Sequence, residues 1–372
     1  DESKRQDCLR LWNNMAQRQL YITGGIGSQS SGEAFSSDYD LPNDTVYAES
    51  CASIGLMMFA RRMLEMEGDS QYADVMERAL YNTVLGGMAL DGKHFFYVNP
   101  LEVHPKSLKF NHIYDHVKPI RQRWFGCACC PPNIARVLTS IGHYLYTPRE
   151  DALYINIYAG NSMEVPVENG TLRLRVSGNY PWQEQVTIAV ESPQPVRHTL
   201  ALRLPDWCIQ PQIILNGEEV EQDIRKGYLH ITREWQEGDT LNLTLPMPVR
   251  RVYGNPLVRH VAGKVAIQRG PLVYCLEQAD NGESLHNLWL PADAPFTTFE
   301  GNGLFRHKIL IQAPGYRYEQ SNPEQQPLWH YDSAPAKRQP QILTFIPWFS
   351  WANRGEGEMR IWVNEETSAI RR

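Results

Sequence analysis

Apolar residues along this chain follow two rhythms, and the change between them falls near Thr147. Up to Tyr146 the spacing is mainly helical. It predicts one helix over residues 3–19, a strongly apolar one from Tyr47 to Met66, a third from about Ser70 to Gly86 and a fourth from Asn133 to Leu145. In the fourth, Ile134, Val137, Leu138 and Ile141 sit at i, i+3, i+4 and i+7, so they share one face. Pro131 and Pro132 suit its start, because the first N–H groups of a helix have no intrahelical partner to lose. Several of these helices are apolar round most of their circumference, as in a helix surrounded by others, and about four helices cannot surround one another. Further helices, or a second copy in a homodimer, are expected to cover them.

After Thr147 apolar and polar residues alternate in short runs: LYINIYAG, TLRLRVSG, VTIAV, TLALRLP, GYLHITREW and TLNLTLP, parted by Gly, Pro, Asn and Asp. That pattern predicts a β-sandwich. A second β-rich block follows Arg250, with KVAIQRGPLVYCLE, KILIQAPGY, LTFIPWFSWANRG and MRIWV, while 321–341, rich in Pro, Gln and Ser, reads as a loop. Trp348, Phe349, Trp351 and Trp362 are expected in the core rather than on a sugar-stacking surface. The fold class is multidomain α plus β, with boundaries at 1–148, 149–250 and 251–372.

Length agrees with several domains: 372 residues exceed one ordinary core. The net charge of −6 argues against a nucleic-acid partner, which selects for a basic face, and leaves a small or neutral ligand as the expectation. No run of apolar residues is long enough to span a membrane, and DESKRQDCLRLW lacks the apolar stretch of a signal peptide. Seven cysteines, an odd count without the regular spacing of a secreted scaffold, point to a reducing, cytoplasmic setting with free thiols.

The thiols concentrate in WFGCACCPPN, where Cys127, Cys129 and Cys130 crowd the start of the fourth helix. A bridge between the adjacent Cys129 and Cys130 would be strained, so a shared metal is the easier account of two neighbouring thiols. Together with Glu49 and Cys51, the cysteines Cys127, Cys129 and Cys130 offer donors of which four can close a tetrahedral site, since thiolates and carboxylates are good zinc ligands. A helix N-terminus also favours a thiolate, which makes one of these cysteines a candidate nucleophile. The residues alone leave buried structural thiols and redox chemistry open. Glu49 also reads as a first-turn helix residue facing the dipole, and Glu33, in GSQSSGEAFSSDYD, as a solvated loop carboxylate. His94, His112, His116 and His143 are further candidate ligands or bases, and TGGIGS at 23–28 reads as a turn rather than a phosphate loop.

Taken in order, TGGIGS, GEAF, YAESCAS, FFYVNPLE and WFGCACCPPN resemble the motifs of glycoside hydrolase family 127, the β-L-arabinofuranosidases. The resemblance covers residues 21–142 and continues weakly beyond. It implies a partial (α/α)6 barrel over 1–148 followed by two β-sandwich domains, with further helices preceding residue 1 that complete the barrel and its sugar pocket. It implies a zinc-dependent, retaining glycosidase in which Cys129 is the nucleophile, Glu33 the general acid/base and Tyr97 a substrate-binding residue. Glu49, Cys51, Cys129 and Cys130 are then the Zn²⁺ ligands, and Cys127 is left without a role. The implied partner is a small oligosaccharide or glycoside carrying a β-L-arabinofuranose-type residue. Two other readings stand beside it: the same fold acting on another pentose-like sugar, and a non-catalytic carbohydrate-binding protein with a structural zinc. With much of the pocket wall outside these residues, the chain alone is expected to be weakly active or inactive and to associate through exposed helix faces.

Overall fold

The computed structural model describes residues 1–167, 170–319, 329 and 337–366. It is a multidomain α plus β protein. The helices are α1 (Glu2–Arg18), α2 (Ser50–Glu67), α3 (Ser70–Ala79), a short α4 (Pro105–Phe110) and α5 (Cys130–Thr139). Asp1 and Asp69 cap α1 and α3 by accepting bonds from Ser3 N and Gln71 N, and left-handed Gly68 ends α2. The third helix does not run uniformly to Gly86, because it widens into a π turn over Leu80–Val84. That turn aims Asn82 at the C-terminal sheet, where its side chain donates to Pro271 O and accepts from Val273 N, both at 2.9 Å. The fourth predicted helix breaks at Ser140, whose hydroxyl bonds back to Arg136 O at 2.7 Å, and resumes only over Gly142–Leu145.

Strands pair into three sheets. A five-stranded sheet runs Ile224–Arg225, Tyr228–Trp235, Val196–Arg203, Leu153–Ile155, Tyr146–Pro148, and a six-stranded one Asn161–Val167, Gly170–Gly178, Gln185–Val190, Thr240–Thr244, Gln212–Leu215, Glu218–Glu219. Period-two burial supplies their common core. Leu172, Leu174, Val176, Val186, Ile188, Leu241 and Leu243 of one share an apolar cluster with Leu200, Leu202, Leu229 and Ile231 of the other. In the ten-stranded sheet, pairing runs from Leu272–Glu277 through Arg338–Pro347, Ile309–Tyr318, Leu288–Pro291, Val363–Glu366 and Lys264–Arg269 back to Leu272–Glu277. The ring is therefore closed. One edge beyond it is a two-residue strand from the helical part of the chain, Glu102–Val103, paired with Met359–Arg360.

Trp348, Phe349, Trp351 and Trp362 are all buried, as their apolar context predicts. The loop expected over 321–341 lies outside the described residues up to 336, apart from Trp329, and strand begins again at Arg338.

A buried polar triad joins α3 to the five-stranded sheet. The fully buried Arg203 lies 3.0 Å from Asp74 and 2.6 Å from Glu77, and Trp207 Nε1 donates to Glu77 at 2.9 Å. Tyr180 donates to the same Glu77 carboxylate. TGGIGS is a turn, as its surroundings predict. Gly24, at φ 77°, packs so closely on α3 that a Cβ would stand 2.5 Å from Ala79 Cα.

Candidate active site

Two helix N-termini meet at the cysteine cluster. YAESC leads into α2 through a left-handed Ala48 at φ 39°, with Glu49 as N-cap at φ −60° and ψ 140° and Cys51 as the second helical residue. Cys129 is the N-cap of α5 and Cys130 its first residue, with the two prolines in the first turn. Close packing between the helices needs Gly87, where a Cβ would lie 2.7 Å from Ser50 Oγ and 3.0 Å from Ile134 Cδ1.

Hydrogen bonds fix a third segment against both. Ser50 N donates to Tyr97 O at 3.0 Å, Ser50 Oγ to Phe96 O at 3.1 Å, and Asn99 Nδ2 to Ala48 O at 2.9 Å. FFYVN is thereby laid alongside YAESC, with Tyr97 facing the cysteines. Arg121, which sequence reading passed over, anchors this segment from behind. Its buried guanidinium donates to Gly86 O, Phe349 O and Trp351 O, and it stacks 4.6 Å over Phe96. Nothing in its sequence context distinguishes it from a surface arginine.

Cys129 Sγ lies 3.3 Å from Glu49 Oε1 and 3.3 Å from Tyr97 Oη. Cys130 Sγ lies 3.8 Å from Cys129 Sγ, 3.7 Å from Cys51 Sγ and 3.7 Å from Glu49 Oε1. All four ligand atoms fall within 4.8 Å of one another. Tetrahedral zinc with metal–sulfur bonds of about 2.3 Å has sulfur–sulfur edges of about 3.8 Å, which the separations of Cys130 Sγ from Cys129 Sγ and Cys51 Sγ match. Three sulfurs and one carboxylate oxygen also suit zinc better than the hard cations, which prefer oxygen.

Glu49 is buried, and its carboxylate turns to the sulfurs rather than capping α2. Burial pushes the Cys129 thiol up to about 12, and raises Cys130 and Tyr97 as well, Tyr97 also through its contact with Cys129. A cation among them reverses that preference, because it stabilises the charged form of each ligand.

Glu33 sits at an exposed turn with a left-handed φ of 51°. Tyr47 Oη donates to its Oε1 at 2.9 Å, and the Tyr47 ring packs 6.0 Å from Tyr97. The fold thus links Glu33 to Cys129 through two phenols. Tyr47 had no role in the sequence reading, although it opens the YAESC motif. Cys127 is exposed and outside the four-ligand cluster. Of the candidate histidines, His116 donates from Nε2 to Thr45 O at 3.1 Å and lies 6.0 Å from the Tyr47 ring. His94 pairs with Asp91 at 3.2 Å, His112 with Asp115 at 3.4 Å, and His143 is exposed. None of the four belongs to the cluster.

Three family models match along the chain. They are the β-L-arabinofuranosidase GH127 catalytic domain over residues 1–143, the GH127 middle domain over 152–247 and the glycoside hydrolase family 127 C-terminal domain over 249–364. A non-reducing end β-L-arabinofuranosidase from Bifidobacterium longum subsp. longum is 38% identical, the match covering 97% of this chain and 56% of that protein. Among solved structures, a GH127 β-L-arabinofuranosidase from Geobacillus stearothermophilus T6 superposes with a TM-score of 0.94 at 48% identity, over 98% of this chain and 57% of that one. A second GH127 β-arabinofuranosidase gives 0.85 at 33% identity, over 95% and 55% of the two chains. The chain spans little more than half the length of these relatives.

Proposed function

The chain belongs to glycoside hydrolase family 127, and from that premise we propose that it carries the reacting groups of a retaining hydrolase for terminal β-L-arabinofuranosides, with Cys129 as nucleophile and Glu33 as acid/base. The observation that carries this reading is the place of Cys129 Sγ at the start of α5, 3.3 Å from both Glu49 Oε1 and Tyr97 Oη. In this reading residues 1–148 are part of an (α/α)6 barrel and 149–250 and 251–372 are β-sandwiches, the second with its two layers joined at the edges.

The bond changes follow the double-displacement scheme of retaining glycosidases, with sulfur in place of the usual carboxylate. The Cys129 thiolate attacks the anomeric carbon. The C–O bond breaks, and the departing oxygen takes its electron pair together with a proton from Glu33. Glu33, now a carboxylate, takes a proton from water; the hydroxide oxygen attacks the same carbon, and the C–S pair returns to Cys129. When bound by Glu49, Cys51, Cys129 and Cys130, zinc supplies the positive charge that keeps the Cys129 sulfur ionised at neutral pH. Tyr97 Oη is placed to donate to that sulfur and orient it, and Tyr47 holds the Glu33 carboxyl.

The decisive experiment is intact-mass analysis after incubation with a haloacetamide-type arabinofuranosyl probe. One adduct, mapped to Cys129 and lost in Cys129→Ser, is expected. Labelling at Cys127 instead removes Cys129 from the nucleophile's role.

A further inference from the structure

A second set of metal-binding side chains stands outside the cysteine cluster. His104, His286 and Glu358 each present a ligand atom within 4.8 Å of the others. They come from distant parts of the chain: His104 precedes α4, His286 lies in the short helix Leu285–Asn287, and Glu358 immediately precedes the strand Met359–Arg360. They line a cavity of about 570 Å³ that also takes in Lys106 and Lys109. Lys106 pairs with Glu283 at 3.4 Å and Lys109 with Glu356 at 3.9 Å, so the cations at its rim are matched by carboxylates.

Each donor is held in place. His104 Nε2 lies 2.8 Å from Glu102 Oε1, leaving Nδ1 toward Glu358 Oε2 at 4.0 Å. Glu102 is fixed in turn by Arg360, 3.2 Å away. A carboxylate behind a ligand histidine is the usual outer support of a metal site, since it orients the ring and makes the free nitrogen a better donor. Glu358 accepts from Ser284 N at 3.1 Å and Leu285 N at 2.8 Å, which leaves lone pairs on both oxygens. A cationic His104 bridging Glu102 and Glu358 accounts for those two carboxylates but not for His286. The His286 ring stands 5.9 Å from that of His104, edge to face, and its nitrogens make no hydrogen bond among the described residues.

We propose that His104, His286 and Glu358 bind a divalent transition-metal ion, with Glu102 orienting His104, and that this ion ties the segment entering α4 to the C-terminal sheet. Two imidazoles and one carboxylate match zinc, with at least one position left to water. The site is separate from the cysteine cluster and takes no part in the reaction proposed above.

Metal content tests it. Protein stripped with a chelator, reloaded with Zn²⁺ and desalted is analysed by elemental mass spectrometry. His286→Ala, at an exposed position, is expected to hold one zinc per chain fewer than the unmodified protein. Glu358→Gln, whose one amide oxygen keeps one of the two contacts to Ser284 N and Leu285 N, loses the same equivalent. Both keep the intense thiolate-to-metal absorption after Co²⁺ loading, because that signal comes from the cysteines. In the presence of zinc both melt at lower temperature than the unmodified protein, and in chelator His286→Ala melts with it. Equal zinc contents in the unmodified protein and both variants overturn the proposal, whatever the cysteine cluster binds.

Discussion

Tyr47 Oη donates to Glu33 Oε1 at 2.9 Å, and no other side chain among the described residues bonds that carboxylate. Glu33 stands on an exposed turn with strained backbone, so this bond decides where its carboxyl group points. Hydrogen bonds to charged groups contribute about 1.5–3 kcal/mol, which sets the scale for losing it. In catalytically active protein Tyr47→Phe is expected to lower kcat about tenfold on substrates with poor leaving groups, and much less on aryl glycosides, whose departure needs little acid assistance. An equal loss on both substrates places Tyr47 in structural support instead.

Cys129→Ser is expected to abolish turnover while far-ultraviolet circular dichroism changes little, because Cys129 is only half-buried. Cys130→Ser should lower the melting temperature too, since Cys130 is fully buried and touches both Cys51 and Glu49. Glu33→Gln should cost about 10²- to 10⁴-fold on poor leaving groups and regain part of that on activated ones. Steady-state kinetics on a leaving-group series separates the three variants.

Chelation tests the zinc proposed for the cluster where the N-termini of α2 and α5 meet. The melting temperature is expected to fall and to return on adding Zn²⁺ in excess, a saturation of about 100 Kd being worth about 2.7 kcal/mol. The fall should persist in His286→Ala, whose cysteine cluster is intact. Calorimetry with and without chelator measures both.

Asp74 gives a pH dependence of stability. Burial raises its carboxyl to about 7 despite Arg203, and the neighbouring carboxylates of Asp206 and Glu77 add to the rise. Its folded value lies above the unfolded one, near 3.8. Between the two the folded state keeps a proton that the unfolded state has lost, so this group's contribution is complete below the lower value and declines as pH rises through the upper one. Asp74→Asn should remove that decline. Urea midpoints across this range that run parallel in the variant and the unmodified protein contradict it.

Arg121 is expected to be far less replaceable than its sequence context suggests. Arg121→Leu takes this donor from Gly86 O and Phe349 O, at about 1–3 kcal/mol for each buried carbonyl left unpaired, and leaves Trp351 O with only Asn353 Nδ2 at 3.3 Å. Because the same guanidinium backs Phe96, next to Tyr97, probe labelling should slow in parallel with the drop in urea midpoint.

The gathering of Glu49, Cys51, Cys129 and Cys130 was legible in the sequence through the family resemblance, whereas the residues alone suggested a shared metal and left structural thiols and redox chemistry open. Alternation likewise marked most of the long strands. What the chain could not show were contacts whose partners carry no pattern. Tyr47 meets Glu33 across a turn, Arg121 seeks backbone carbonyls 228 and 230 residues away, and Glu102–Val103 joins a sheet built almost wholly from residues after Val249. The break at Ser140 was hidden for the opposite reason. The apolar period continues to Ile141, while a local hydroxyl–carbonyl bond competes with the helix.

The two-residue strand Glu102–Val103 has a bearing on solubility. A sheet edge is a row of unpaired backbone groups that can template another chain, and folded proteins blunt such edges with very short strands and proline. Here the ten-stranded sheet ends on this side in two paired residues, with Pro105 just beyond them. The contact that binds the helical segment to the sheet also leaves too little ladder for a neighbouring molecule to extend, so the same pairing that holds the chain together guards it against fibrous aggregation.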